Sequence, residues 1–262
     1  MGVVNVTPDS FSDGGRLGSA REAADVARGM LADGAALVDV GGESTRPGSG
    51  PVTPDEELRR VVPVLELLAG EPVSVDTSRA VVAREALALG AAMINDVTAL
   101  RRDPDLAAAV AATDAHLCLM HMQGEPRTMQ VAPHYVDVVS EVAAFLEERL
   151  AFAVAAGIPE ERVCLDPGVG FGKTPDQNLE LLRRLDELLV LGRPVLVGVS
   201  RKSTLGRVLG DATATTGSVA ASVAAAVAAF ARGASIVRAH DVRETVEALA
   251  VAAAVERGRI TA

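Results

Sequence analysis

The chain has 262 residues, 49% of them hydrophobic, with 25 Lys and Arg against 35 Asp and Glu for a formal net charge of −10. Its length and apolar share suffice for one large α/β domain or two small ones, while the acidic balance excludes the broad basic face that nucleic acids and anionic membranes demand. A small anionic ligand stays compatible, because a few cations focused in one cleft are enough to hold it.

Short β-branched runs alternate with helical patterns from end to end, as expected of repeated βα units and a parallel sheet. In chain order the reading is strand 2–6, helix 19–33, strand 37–40, helix 54–68, strand 73–75, helix 79–89, strand 92–94, strand 117–120, helix 136–156, strand 163–165, helix 176–189, strand 195–199, helix 218–231, strand 236–237 and helix 242–256. Glycines at 34, 70, 90, 157 and 233 stand where helix C-caps belong. Eight units of roughly 33 residues fit an eight-stranded barrel, which needs about 250. The predicted fold is therefore α/β, a (β/α)8 TIM barrel forming a single domain over 1–262. Cys118 and Cys164, 46 residues apart in apolar stretches, read as buried reduced thiols of a cytoplasmic protein. No basic, apolar leader opens the sequence, and the Ala-rich tract 219–231 is too short to span a membrane.

Nearly every predicted strand ends in a residue able to do chemistry: Asn5, Asp39, Asp76, Asn95, His121, Asp166, then Ser200 with Arg201 and Lys202, and Arg238 with His240. Any one of these is equally well an ordinary helix N-cap. In a barrel, however, all eight carboxyl ends share the face on which active sites are built.

Four loops leaving that face stand out. MGVVNVTPDSFSDGG runs from a strand into a long segment with Gly14 and Gly15 as a hinge and Phe11 at a polar tip, the pattern of a lid rather than of a plain solvated loop. DVGGESTRPG carries Thr45, Arg46 and Pro47, and Arg46 offers a planar fork for a carboxylate or phosphate. DPGVGFGKTP sets Phe171 and Lys173 among glycines, and GVSRKSTLG places Ser200, Arg201, Lys202 and Ser203 after an apolar strand. Because the last strands of a barrel commonly bind phosphate, Lys202, Arg238 and His240 read as the anion end of the cleft. Opposite them Asp76, Asn95, Asp96 and Asp166 read as uncompensated groups that bind a metal, act as acid and base, or accept donors from an amidine-like ring. His121, in HMQG, has no second His at ligand spacing, which argues against zinc. A flat, donor-rich ring carrying phosphates satisfies both ends.

With NVTPDSFSDGG, DVGGESTRPG, SVDTSR, INDV, LMHMQGEPRTMQ, LDPGVGFGKT, GVSRKS and RAHDV all in order, the sequence resembles the dihydropteroate synthase family, the folate-biosynthesis transferases that sulfonamides target. The resemblance spans essentially the whole chain. It implies a TIM barrel that condenses (7,8-dihydropterin-6-yl)methyl diphosphate with p-aminobenzoate, giving 7,8-dihydropteroate and pyrophosphate, with Mg2+ on the diphosphate. Carried over by motif, it implies a pterin pocket of Asp76, Asn95, Asp166 and Lys202 lined by Val97, Met120, Phe171 and Gly198. It also implies a pyrophosphate site of Asn5, Thr45, Arg46, Arg238 and His240, with Asn5 on the metal. The p-aminobenzoate site would join Phe11, Asp13, Thr45, Arg46 and Pro47 to Phe171, Lys202 and Ser203. Catalysis would rest on Asp76, Lys202, Arg238 and His240, in a cytoplasmic homodimer. Family members usually carry a short segment, often a β-hairpin, before the MGVVNV strand, whereas this sequence opens on it; that departure bears on stability rather than on chemistry.

Two other readings stay open at this point. A pterin-dependent methyltransferase barrel shares the Asp and Asn contacts but gives no reason for the Ser-Thr-Arg-Pro-Gly loop or the Arg238 and His240 pair. A catalytically silent pterin-binding paralogue would have shed the charged site residues that are all present here.

Overall fold

The computed structural model describes residues 1–6, 20–44, 50, 52–125 and 128–259. Strands and helices alternate through them as β1 (Gly2–Asn5), α1 (Ala20–Ala32), β2 (Val38–Gly41), α2 (Pro54–Leu67), β3 (Val73–Asp76), α3 (Ala80–Ala88), β4 (Met93–Asp96) and α4 (Asp105–Ala111). The second half runs β5 (His116–Met120), α5 (Val138–Ala155), β6 (Val163–Asp166), α6 (Pro175–Arg183), β7 (Leu196–Gly198), α7 (Ser203–Val208), α8 (Val219–Ala231), β8 (Ile236–Arg238) and α9 (Val242–Arg257). Strands β1 to β6 form one parallel sheet in sequence order, and β7 pairs with β8. Single bridges from Leu165 to Val195 and from Gly2 to Ala239 join the two sheets at both edges, closing the strands into a ring. The result is a (β/α)8 TIM barrel.

Local chemistry explains where the helices start and stop. Thr53 caps α2 by accepting from the Glu56 amide, with Pro54 at the first helical position. Thr174 and Gln177 form a reciprocal capping box at α6, again with a following proline. Glycines 34, 70, 90, 157 and 233 all take the left-handed φ, between 86° and 101°, of a helix C-cap. The reading of one helix over 176–189 is corrected: α6 ends at Arg183 and a 3-10 turn over Leu185–Leu191 follows. Arg184, at the break, leaves the helical region at φ −111°, ψ 26°, while its guanidinium ties Asp137 to Glu187. Helices α4 and α7 are additions, both too short to carry a readable period.

Strand alternation sorts the side chains into two environments. Outward residues such as Val38, Val40, Val75, Ile94, Leu117, Leu119, Val195 and Val197 are fully buried under the helices. These present alanines, among them Ala23, Ala24, Ala27, Ala83 and Ala229, so helix and sheet approach closely without large aromatics. Inward residues form layers. The lower one is apolar, built of Met93, Cys118, Cys164 and Leu196 with Met1, Leu37 and Ile236 against it. Cys118 and Cys164 are unbridged and adjacent in the β5–β6 register. On β1 to β4, Asn5, Gly41, Asp76 and Asn95 are successive register partners, a polar run toward the carboxyl ends that continues into Cys118 and Cys164 on β5 and β6.

Candidate active site

The polar run is organised around Asp39, which is 0% exposed. Its Oδ2 accepts from Arg238 Nε at 2.7 Å and from Asn95 Nδ2 at 2.9 Å. A second guanidinium nitrogen of Arg238 lies 3.4 Å from Asp76 Oδ2. The basic and acidic groups are therefore not opposed across the cleft as the sequence suggested; Arg238 is clamped between two carboxylates. Because Asn95 spends its NH2 on Asp39, its Oδ1 is left as an acceptor, and both it and Asp39 Oδ1 are buried with no partner among the described residues. Orphaned acceptors of this kind cost about 1–3 kcal/mol each, a cost that a donor-bearing ligand relieves. Burial, reinforced by the charge of Asp39 and opposed by Arg238, pushes the Asp76 carboxyl well above the ordinary carboxylate range.

Asp166 ends β6 on the neighbouring part of the rim. Its Oδ1 accepts from the Gly168 amide at 2.7 Å, yet burial outweighs that bond and the charges of Lys202 and Lys173, pushing its pKa up to about 6. Beside it Val97, Met120, Met122 and Met129 form an apolar shelf with Phe171 packed against it. The Lys202 ammonium sits 4.3 Å from the centre of the Phe171 ring, a cation–π contact. Gly198 is opposite Arg238 in the β7–β8 register, and a side chain there would meet only the Arg238 Cβ, at 3.9 Å. Carboxylates, unpartnered acceptors and an ammonium thus stand around an apolar shelf at the carboxyl end of the barrel.

At the last two strands the Arg-Lys pair separates. Arg201, at φ 56°, turns outward to Asp241 at 2.6 Å, so a carboxylate answers it, while Lys202 turns to Phe171. The Ser200 hydroxyl receives the His240 amide at 3.1 Å and lies 3.2 Å from its Nδ1, which fixes the imidazole beside Arg238. Ser203 is the first residue of α7, and Asn5 ends β1 half-buried. Phe11, Asp13, Thr45, Arg46 and Pro47 lie outside the described residues. The base of the second loop is anchored where Glu43 pairs with Arg79 at 3.3 Å and Arg102 at 2.8 Å.

Asp96 is not an uncompensated cleft group. Following the inward Asn95, it points outward, and its two oxygens accept from the Thr98 amide and hydroxyl and from the Leu100 amide at 2.6–2.8 Å. His121 is buried, with Nδ1 2.9 Å from Lys173 Nζ. Burial and the charges of Lys173 and Arg101 lower its pKa to about 2, so the ring is neutral. Burial and the Lys202 charge in turn lower Lys173 to about 7, against the pull of Asp166. Among the described residues no group of three His, Cys, Asp or Glu side chains could hold a metal. Sequence reasoning passed over the central place of Asp39, whose strand position two before Gly41 was the available signal, and over Met122 and Met129, whose spacing carries none.

A family model described as pterin binding enzyme matches residues 1–240. A curated dihydropteroate synthase of Neisseria meningitidis serogroup B is 51% identical over 258 residues, covering 96% of this chain and 90% of the relative. That of Escherichia coli strain K12 is 49% identical over 256 residues, covering 96% and 89%. Among solved structures, Yersinia pestis dihydropteroate synthase with a sulfonamide drug complex matches with a TM-score of 0.92 at 47% identity, over 98% of this chain and 94% of that one. The Xanthomonas albilineans enzyme in complex with 7,8-dihydropteroate matches with a TM-score of 0.86 at 47% identity, over 98% and 92%.

Proposed function

The chain belongs to the dihydropteroate synthases, a family of pterin-binding enzymes, and from that premise we propose that it condenses (7,8-dihydropterin-6-yl)methyl diphosphate with p-aminobenzoate to give 7,8-dihydropteroate and pyrophosphate. The observation that carries the reading furthest is the pair of buried, unpartnered acceptors, Asp39 Oδ1 and Asn95 Oδ1, in the cluster that Arg238 ties to Asp39 and Asp76. An aminopyrimidine edge offers the donors that such acceptors lack. In this reading Asp76, Asn95, Asp166 and Lys202 hold the pterin between Val97, Met120, Phe171 and Gly198. Asn5, Thr45, Arg46, Arg238 and His240 receive the diphosphate, and Phe11, Asp13, Thr45, Arg46 and Pro47 close over the p-aminobenzoate against Phe171, Lys202 and Ser203.

Magnesium fits the residues present. Magnesium binds largely through water and substrate phosphates, so the Asn5 amide oxygen at the end of β1 would hold it beside the diphosphate. When bound, it neutralises charge on the diphosphate. Arg238, His240 and Arg46 stabilise the diphosphate as the carbon–oxygen bond breaks and the electron pair leaves with it. Burial and the charge of Asp39 raise the pKa of Asp76; a positive charge developing on the pterin methylene favours its ionised form and is stabilised by it. The p-aminobenzoate nitrogen then forms the new carbon–nitrogen bond and passes its proton to the departing pyrophosphate. No nucleophilic side chain is required, and closure of the first two loops keeps water from the cation.

The reading extends to a single domain over 1–262 that works as a homodimer in the cytoplasm, a compartment suited to the two unbridged buried cysteines. Mixing the protein with both substrates and magnesium and following pyrophosphate tests it. Release that depends on both substrates supports the proposal, and tight pterin binding without release refutes it.

A further inference from the structure

Residues 167–173, Pro-Gly-Val-Gly-Phe-Gly-Lys, leave β6 with Gly168, Gly170 and Gly172 all at left-handed φ, from 63° to 85°. These turns bend the loop back on its own last residue. Lys173 is 2% exposed, and its Nζ meets the Gly168 carbonyl at 2.9 Å, the Phe171 carbonyl at 3.0 Å and His121 Nδ1 at 2.9 Å. Two carbonyls and the imidazole Nδ1, an acceptor in the tautomer protonated at Nε2, meet the three donors of an ammonium, and none of the three carries a charge. Burying an ammonium among neutral partners costs several kcal/mol of desolvation, which an apolar side chain of like size avoids. The feature that only the ammonium provides is direction: it aims two carbonyls of one loop and the end of β5 at a single point.

That point governs Phe171. Other ties hold parts of the loop, with Asn178 accepting from the Gly170 amide, Gln130 donating to the Gly170 carbonyl and Tyr135 donating to the Gly172 carbonyl. Lys173 alone among them grips the carbonyl of Phe171 itself and, three residues earlier, that of Gly168, which also accepts from the Phe171 amide at 3.0 Å. Packing leaves little slack, since a Cβ on Gly168 would lie 1.9 Å from the His121 carbonyl oxygen. With its backbone fixed on both sides, the Phe171 ring stands beneath the Lys202 ammonium.

We infer that Lys173 is a positioning residue for the arylamine: by pinning the Gly168 and Phe171 carbonyls to His121, it holds Phe171 against Lys202 as the wall on which the second substrate's ring docks. The inference rests on the synthase reading and adds a residue that touches neither substrate. The pterin also meets Phe171 in that reading, but its anchors Asp76 and Asn95 stand on β3 and β4, away from this loop, so it depends on the wall less.

The test compares wild type, Lys173→Met, His121→Gln and His121→Leu in three measurements. These are KM for each substrate by pyrophosphate release, calorimetric Kd for the pterin substrate alone, and amide hydrogen exchange over 168–172. Lys173→Met should raise KM for p-aminobenzoate about tenfold or more while the pterin Kd stays within about threefold, with Gly170 and Phe171 amides losing protection. His121→Gln, which keeps an acceptor, should stay near wild type, and His121→Leu should follow Lys173→Met. An unchanged KM for p-aminobenzoate, or equal losses for both substrates, overturns the inference. If Lys173→Met fails to fold, the His121 pair decides by the same criteria. A wild-type protein that releases no pyrophosphate overturns the synthase reading instead, and exchange at 168–172 still decides whether Lys173 organises the loop.

Discussion

Asp39 and Asp166 are both buried carboxylates at strand ends, but their partners give them different work. Asp39 satisfies Arg238 and Asn95 through one oxygen, so removing it leaves the buried guanidinium only the longer contact to Asp76 and frees an amide that its carboxylate had oriented. Asp39→Ala should cost about 3–5 kcal/mol, the usual penalty for breaking a buried pair from one side; a thermal or denaturant midpoint equal to wild type contradicts this. Asp166 has its pKa raised to about 6 by burial. The folded chain therefore holds that proton more tightly than the unfolded one, and stability contributed by the group falls as pH rises from the ordinary carboxylate value toward 6, then levels off. Ligand binding should run the other way. A carboxylate accepts two ring donors and the acid does not, so pterin affinity should rise about tenfold per pH unit up to pH 6 through Asp166, any further rise toward pH 8 belonging to Asp76. Calorimetric titration across pH 4.5–8 checks the profile, and Asp166→Asn should abolish both slopes that Asp166 sets. The sequence displayed Asp166 openly, in a Gly-rich loop, but hid the centrality of Asp39, because a residue's partners across the barrel depend on a register no local pattern records.

At the scale of elements, period and caps made eight strands and the long helices legible, as Thr174-Pro175 before α6 and Gly157 after α5 illustrate. The connection after β4 was not. There Ala99 and Leu100 take φ of 52° and 63°, a left-handed pair without glycine that propensity does not foresee. Asp96 holds the turn from one side through the Thr98 and Leu100 amides. From the other, the buried Arg149 of α5 donates to the Ala99 carbonyl at 2.8 Å and to the Leu100 carbonyl at 3.5 Å. The strain is tolerated because distant residues over-determine it, which is why a group that looks like a cleft carboxylate in sequence is a turn anchor in the fold. Arg149→Met should leave both carbonyls unpaired and lower stability by about 1–3 kcal/mol. In a chain of this size that corresponds to a melting point lower by roughly 2–10 °C, and an unchanged melting point rejects the role.

Over the whole molecule, the ring closed by β1 to β8 leaves no open sheet edge among the described residues, so helices offer the surface available for association. Helices α8 and α9 pack on one another along part of it, yet α9 keeps Val251 at 65% and Val255 at 73% exposure. Glu244 and Glu247 line the same shallow depression as Val251 and Ala252. A twofold contact on this face would place an apolar centre inside an acidic rim, between two chains that each carry a net charge of −10. Salt screens that repulsion without weakening apolar burial, so the proposed homodimer should tighten as ionic strength rises from about 0.01 to 0.15 M. Sedimentation velocity over that range checks the trend, and a weakening with salt contradicts an apolar contact of this kind. Val251→Glu with Val255→Glu should yield a monomer. Because Asp39, Asp76, Asn95, Asp166 and Arg238 all come from one barrel, that monomer should still bind the pterin substrate within about threefold of wild type; a monomer that has lost the pterin would mean the partner subunit completes the slot.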